Sequence, residues 1–327
     1  MTLREIAELA GVSPSAVSRY LNGGSLSDAK ADAIRRVISE TGFVPNQVAH
    51  NLRTGRVRQI GILVPKIHSP SVSQVVEGAH EVLSAAGYMT VLGSLEHQPD
   101  TVGGHLAWMQ AYHMAGAIVM ASNDADVRNG TFRNCGIPIV ITGQNFKEYN
   151  CVYHDDWGAA KELTELLLKR GRTNIGCISA PKTDPAAGIA RMEGVKAALW
   201  EAGLTPAPPT VVSAFHMEGG YRAMKQLLAD HPDLDGVFCA ADSMAQGALM
   251  ALKESGRSVP GDVSVVAFGN DWANRISTPQ LTTAELYQTQ CGRDAANILL
   301  EILEKGSDMS YSRQIKLGYK IVERESV

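Results

Sequence analysis

Five cysteines in 327 residues (Cys135, Cys151, Cys177, Cys239 and Cys291) are odd in number and widely scattered, and no C-x-x-C pair occurs. This argues against a disulfide framework or a zinc site and for buried free thiols in a reducing compartment. No apolar run approaches the ~20 residues needed to cross a bilayer. The opening "MTLREIAELAG" has charges in its first turns and none of the apolar h-region of a secretory leader, so a cytoplasmic chain with no membrane partner is expected. There is no P-loop, no G-x-G-x-x-G after a strand, no H-E-x-x-H and no G-x-S-x-G, so neither an enzyme nor a bound cofactor or metal is implied. His105 and His113 stand eight apart with no ligand cluster, and "HQPDTVGGH" reads as a glycine turn rather than a phosphate cradle. "HDD" at 154–156 reads as an N-cap and first-turn acid of the following helix, not as acid/base or metal chemistry.

What is present is an ordinary soluble composition, 45% hydrophobic and 20% charged, with length for about two domains at ~150 residues each. The charge is uneven. Residues 1–58 hold eight Lys or Arg against five Asp or Glu, leaving 22 against 29 for the remainder. A small basic module therefore precedes a larger acidic body.

The module reads as three short helices. Thr2 and Glu5 make a T-x-x-E capping box, and Leu3, Ile6, Leu9 and Ala10 give an apolar face that Gly11 ends. Ser13 caps the next helix with Pro14 at its first position, and Ala16, Val17, Tyr20 and Leu21 supply its buried stripe. Ser27 caps a third helix, closed by Gly42. Residues 46–53 can make only two further turns, which fold against something else. From Ile60 onward, short apolar runs alternate with helical stretches at 72–86, 101–112, 124–134, 156–170, 186–202, 218–229 and 242–255. This is βαβ alternation. "IGILVP" at 60–65 is echoed by "IGCISAP" at 175–181, so two doubly wound parallel-sheet lobes are expected, with a ligand cleft at their strand C-terminal ends. The tail adds one long helix and the β-rich "QIKLGYKIVER". The domains read as 1–45, a helix-turn-helix headpiece; 46–58, a hinge and linker; and 59–327, a two-lobed core.

Two helices joined by a glycine-containing turn and followed by a third describe a helix-turn-helix, whose second helix enters the major groove. "TLREIAELAGVSPSAVSRYLNG" resembles the N-terminal signature of the LacI/GalR repressor family, and "GFVPNQVAHNLRTGR" resembles that family's hinge. The βαβ body resembles its periplasmic-binding-protein-like core. "DGVFCAADSMAQGALMALKESGRSVPGDVSVVAFGN" and "TPQLTT" match its second-lobe segments in order, and "CVYHDDWGAAKEL", "FCAADSMAQGAL" and "VAFGN" look nearest to the trehalose-repressor branch.

The resemblance implies a homodimeric or tetrameric repressor whose headpieces bind a pseudo-palindromic operator and whose cleft takes a sugar or sugar-phosphate effector, release of the operator by sugar being the commoner outcome. The absence of a heptad tail favours the dimer. The implied DNA-contact residues are Ser13, Pro14, Ser15, Ala16, Ser18, Arg19 and Asn22 on the recognition helix, with Asn46, Ala49, His50, Leu52 and Arg53 on the hinge. The base-reading pair falls on Pro14 and Ser15, which carry few donors, so Arg19 takes more of the direct readout. Leu52 falls at the minor-groove wedge, and His50 stands where a more basic residue is common. The implied effector residues are Lys66, Ser69, Ser122, Gln144, Arg191, Phe215, Asp242, Asn270 and Trp272. Where the family has Asn-Asp this chain has Ala241-Asp242, and Asn270-Asp271 replaces the aspartate after the next strand. Fewer cleft carboxylates suit an anionic sugar facing Lys66 and Arg191, whereas Gln144, at a position basic in some relatives, argues the other way. A two-lobed sugar receptor or sugar-processing enzyme on the same core is the rival reading. Residues 1–58 oppose the receptor, and the lack of a catalytic constellation opposes the enzyme.

Overall fold

A computed structural model of the chain describes residues 1–21, 24–43, 57–96, 102–121, 123–305 and 312–327. The chain divides into two compact units, Met1–Val57 and Arg58–Val327.

The first unit holds α1 (Leu3–Leu9), α2 (Pro14–Leu21) and α3 (Asp28–Thr41) around Ile6, Ala7, Val17, Ile34 and Val37. The capping box forms as expected, Thr2 N–H donating to Glu5 and Glu5 N–H to the Thr2 hydroxyl. The Ser13 hydroxyl accepts from Ala16 N–H at the start of α2. Ser27 occupies the N-cap place of α3 but its side chain makes no capping bond; its backbone carbonyl receives Lys30 and Ala31 N–H instead. Gly42 ends α3 at φ 62°, a left-handed conformation that glycine adopts without strain.

The second unit contains two six-stranded sheets. The first is ordered β11-β5-β4-β3-β1-β2, from β1 (Val57–Val64), β2 (Met89–Ser94), β3 (Met114–Met120), β4 (Ile139–Thr142), β5 (Cys151–His154) and β11 (Gln314–Leu317). The second is ordered β12-β10-β9-β8-β6-β7, from β6 (Ile175–Ser179), β7 (Thr210–Val212), β8 (Gly236–Cys239), β9 (Ser264–Phe268), β10 (Thr282–Leu286) and β12 (Tyr319–Val322). Of the pairings whose register is described, all run parallel except β10 with β12. The central strands are apolar on both faces, as helix-covered parallel sheets require. Two helix pairs pack closely on these sheets: α4 (Pro70–Ala85) with α12 (Gln288–Lys305), and α9 (Met217–Asp230) with α10 (Asp242–Glu254). The first approach is close enough that a Cβ on Gly78 or Gly292 would strike backbone carbonyls of the opposite helix, so both positions need glycine.

Three crossings join the lobes. The chain leaves the first sheet after β5 into α7 (Asp156–Lys169), returns after β10 into α12, and crosses again at Gly318, the single residue between β11 and β12. The crossings lie side by side, since His154 pairs with Leu317 and Leu286 with Tyr319. The expected helix at 124–134 shrinks to α6 (Ala125–Arg128). Asn129 caps it and Gly130 follows at φ 70°, which turns the chain away. α5 (Val102–Ala111), α8 (Arg191–Glu201) and α11 (Ala273–Ile276) complete the helices, with a π-helical turn at Pro185–Ala190 running straight into α8. Among the described residues no helix is long and apolar enough to cross a membrane.

Candidate effector site and DNA-facing helix

The polar contacts where the two lobes meet centre on Arg191. Asp184 caps the π-helical turn, accepting from Ala187 N–H at 3.0 Å, and Pro185 stands at its first position, where a missing N–H costs nothing. The wider π spacing sets Arg191 as the next residue, and such turns often mark functional sites. Arg191 is pinned. Nε and Nη2 donate to Asp156 at 2.8 and 2.7 Å, Nη1 donates to the Ala240 carbonyl, and the guanidinium lies 4.1 Å from the Phe268 ring centre. Its side chain is 12% exposed and that of Asp156 6%, so the pair is nearly dry. Asp155 does the capping expected of this stretch, accepting from Gly158 N–H. Asp156, read from sequence as a first-turn acid, is in addition the counter-ion of Arg191.

Two side chains reach this lobe from the first. The Gln144 amide, 3% exposed, donates to Asp184 at 2.8 Å and accepts from Ala186 N–H at 3.1 Å. Lys66 donates to the Phe215 carbonyl at 2.7 Å. Burial lowers the Lys66 pKa, opposed by Glu96. Burial raises that of Asp184, opposed by its hydrogen bonds from Ala187 and Gln144.

The other expected effector residues divide. Phe215 packs half-buried on the second-lobe core. Asp242 is buried and committed within its own lobe, accepting from the Thr283 hydroxyl at 2.7 Å and Asp271 N–H at 2.9 Å, so it organises the loop after β9. Burial raises its pKa against those same bonds. Asn270, at φ 58°, accepts from Arg324. Trp272 is 68% exposed beside them. Ser69 stands at the N-cap place of α4, where its hydroxyl meets that of Ser71 rather than the helix. Ser122 lies outside the described residues. Asp156 and Asp184 were missed as members of the site. The Asp-Pro pair at 184–185 was a readable cap signal, but nothing local joins Asp156 to a residue 35 positions away. Arg191, expected to face an anion together with Lys66, is paired with Asp156.

On α2, Ser13, Pro14, Ser15 and Arg19 are exposed, Ser18 is half-buried, and Ala16 is 7% exposed and turned inward, so it offers little to a groove. Asn22, Asn46, Ala49, His50, Leu52 and Arg53 lie outside the described residues.

Residues 2–46 match the model of bacterial regulatory proteins of the lacI family, and residues 164–327 that of a periplasmic binding protein-like domain. The HTH-type transcriptional regulator CelR of Thermobifida fusca is 32% identical over 316 residues, covering 92% of this chain and 91% of that protein. The chain belongs to the lacI family of bacterial regulatory proteins. This LacI-family regulator is also 30% identical to the HTH-type transcriptional repressor PurR of Erwinia tasmaniensis over 332 residues, covering 100% and 96% of the two chains. Among solved structures it is similar to a transcriptional regulator CelR–cellobiose complex (TM-score 0.75, 28% identity, 100% of both chains). It shares the fold of a Lac repressor dimer bound to operator and the anti-inducer ONPF (TM-score 0.90, 23% identity, 100% and 98% covered). It is a DNA-binding transcriptional regulator.

Proposed function

We propose that this cytoplasmic LacI-family repressor answers to a neutral sugar, of the size of a disaccharide, held between its two lobes. The observation that carries this is the Arg191–Asp156 pair. The Arg191 guanidinium is neutralised by a carboxylate, Asp184 and Asp242 are buried acids nearby, and the Lys66 ammonium that reaches across is already held by the Phe215 carbonyl. An anionic ligand would meet these at low dielectric with too little compensating charge. Hydroxyls instead suit the fixed donors and acceptors of Gln144, Arg191 and Asp184, and the exposed ring of Trp272 can cover an apolar sugar face. The cellobiose bound by the related CelR is a ligand of this kind. The chemistry of the cleft carries more weight here than the likeness of three short segments to the trehalose-repressor branch.

The mechanism is linkage. Sugar favours the clasped arrangement of the lobes, and its binding energy is shared with the operator equilibrium of a homodimer whose two headpieces straddle a pseudo-palindrome. Ser13, Ser15, Ser18 and Arg19 face the groove there, and the hinge residues Asn46, Ala49, His50, Leu52 and Arg53 take the centre. A gel shift on the promoter DNA of the protein's own operon, run with cellobiose, trehalose 6-phosphate and gluconate, tests the reading. Cellobiose is expected to weaken the shift and raise the thermal midpoint. A response confined to the anionic sugars would overturn the neutral-sugar assignment, and no sequence-specific shift would overturn the repressor.

A further inference from the structure

A cavity of about 470 Å³ opens at the other end of the second sheet from the cleft. Arg191 bonds at the C-terminal end of β8, through the Ala240 carbonyl, whereas the cavity lies at the N-terminal ends of the strands. Ile175 begins β6, Leu234 stands just before β8, and Pro208 and Pro209 stand just before β7. The volume is that of a small-ligand pocket, about 300–1,000 Å³. The floor is apolar: Ile175, Leu199 and Leu234 are each 3% exposed, and Leu204 is half-buried. The fixed charges of the lining are all negative. Asp230, the last residue of α9, and Asp233 both line it, with His231 and Pro232 between them in the chain. Both carboxylates are exposed, and neither has a hydrogen-bond or ion-pair partner among the described residues. No Lys or Arg lines the cavity; Arg257, which reaches the same loop, donates to the Pro232 carbonyl. Both α8 and α9 end here, and helix C-termini carry partial negative charge.

We propose that this cavity is a second ligand site, for an aliphatic di- or polyamine. Its ammonium groups meet Asp230 and Asp233 in charge-assisted hydrogen bonds, and its methylenes lie on Ile175, Leu199 and Leu204. Thr205 and Asn174 offer neutral acceptors for the remaining N–H groups. The alternatives fit less well. An anion would meet two unpaired carboxylates. A sugar would set its hydroxyls against the apolar floor, and the lining holds no aromatic ring to cover an apolar face. A metal ion needs converging ligands, and among the described residues no three His, Cys, Asp or Glu side chains come together to hold one. An organic cation uses both the charge and the leucines. Occupancy also touches the helix that carries the cleft arginine, since Leu199 lies about two turns along α8 from Arg191. The site stands on its own residues and does not depend on the sugar reading.

The test is calorimetric titration of the full-length protein with putrescine and spermidine at about 0.15 M salt, where loose surface attraction is screened. The uncharged analogue 1,4-butanediol is run beside them. The amines are expected to bind at one site and the diol not at all. Asp230→Asn and Asp233→Asn replace exposed side chains, so the fold is kept, and each should weaken amine binding about tenfold, the loss of one charge-assisted hydrogen bond. Glu40→Gln, at an exposed acid on α3, should change nothing. Methyl NMR places the ligand: spermidine should shift the Ile175, Leu199 and Leu204 methyls and leave that of Ala240, beside Arg191, in place. No binding by either amine, equal binding by the diol, Asn variants that bind as wild type does, an equal loss in Glu40→Gln, or shifts that miss these three methyls each overturns the proposal. Cellobiose enters no arm, so failure here leaves the sugar reading untouched.

Discussion

The two lobes carry the same number of strands wound in the same order, yet they are equipped differently at the cleft. The second lobe holds a fixed charged constellation: Arg191 clamped by Asp156, the Ala240 carbonyl and Phe268, with Asp184 capping Ala187 N–H and Asp242 held by Asp271 N–H and the Thr283 hydroxyl. Among the described residues the first lobe sends across Lys66 and Gln144, each ending on the other lobe. On the proposed reading, equal scaffolds serve as a rigid receptor and a lid with two clasps. The reason is physical. Buried charges hold a geometry only when every partner is in place, which suits the half that must be preformed. Single hydrogen bonds, even with one charged partner, are worth about 1–3 kcal/mol each and can be made and broken.

That contrast can be broken at its strong side first. Arg191→Ala leaves Asp156 buried and unpaired, so it should cost about 3 kcal/mol of stability or more and abolish the sugar response, seen by thermal unfolding and calorimetry. Gln144→Ala removes one clasp from the lid. Sugar affinity should drop about tenfold, the equivalent of about 1.4 kcal/mol, with the thermal midpoint nearly unmoved; a large loss of stability would make Gln144 part of the receptor's own framework. Lys66→Met keeps the half-buried stem and loses one donor, so a fall in affinity of about threefold is expected. The smallest effect sharpens the comparison by pH. Burial raises the Asp184 pKa in the folded protein, so the folded state holds its proton more tightly and stability declines as pH rises from the unfolded value through the folded one. Asp184→Asn should therefore gain slightly in stability at pH 7, the gain vanishing in acid where Asp184 is itself neutral. A gain that grows in acid would contradict that sign.

Local chemistry made much of this readable. The capping box at Thr2 and Glu5, Pro14 at the head of α2 and the glycine stops need only neighbouring residues, and the βαβ rhythm needs only a window of ten or so. Arg191 was visible through the family resemblance. What stayed hidden depends on pairing at a distance. "QIKLGYKIVER" looked like one β-rich tail, but Gly318 divides it between two sheets. Asp156 looked like an ordinary helix-start acid until the fold brought Arg191 onto it. Helix 124–134 failed because composition permitted it, whereas Asn129 and Gly130 turned it. Asp242, expected to face a ligand, is consumed by its own loop, a distinction no residue count can make.

The three side-by-side crossings carry a mechanical consequence. A lone strap would leave two bodies free to swivel, twist and slide. Straps that are themselves adjacent strands, locked to one another through His154–Leu317 and Leu286–Tyr319, resist twist and shear and leave bending across their common width. The cleft can then open along essentially one coordinate, so the energy of a small ligand is not scattered over many motions, and a few hydrogen bonds at the lid suffice to report its presence.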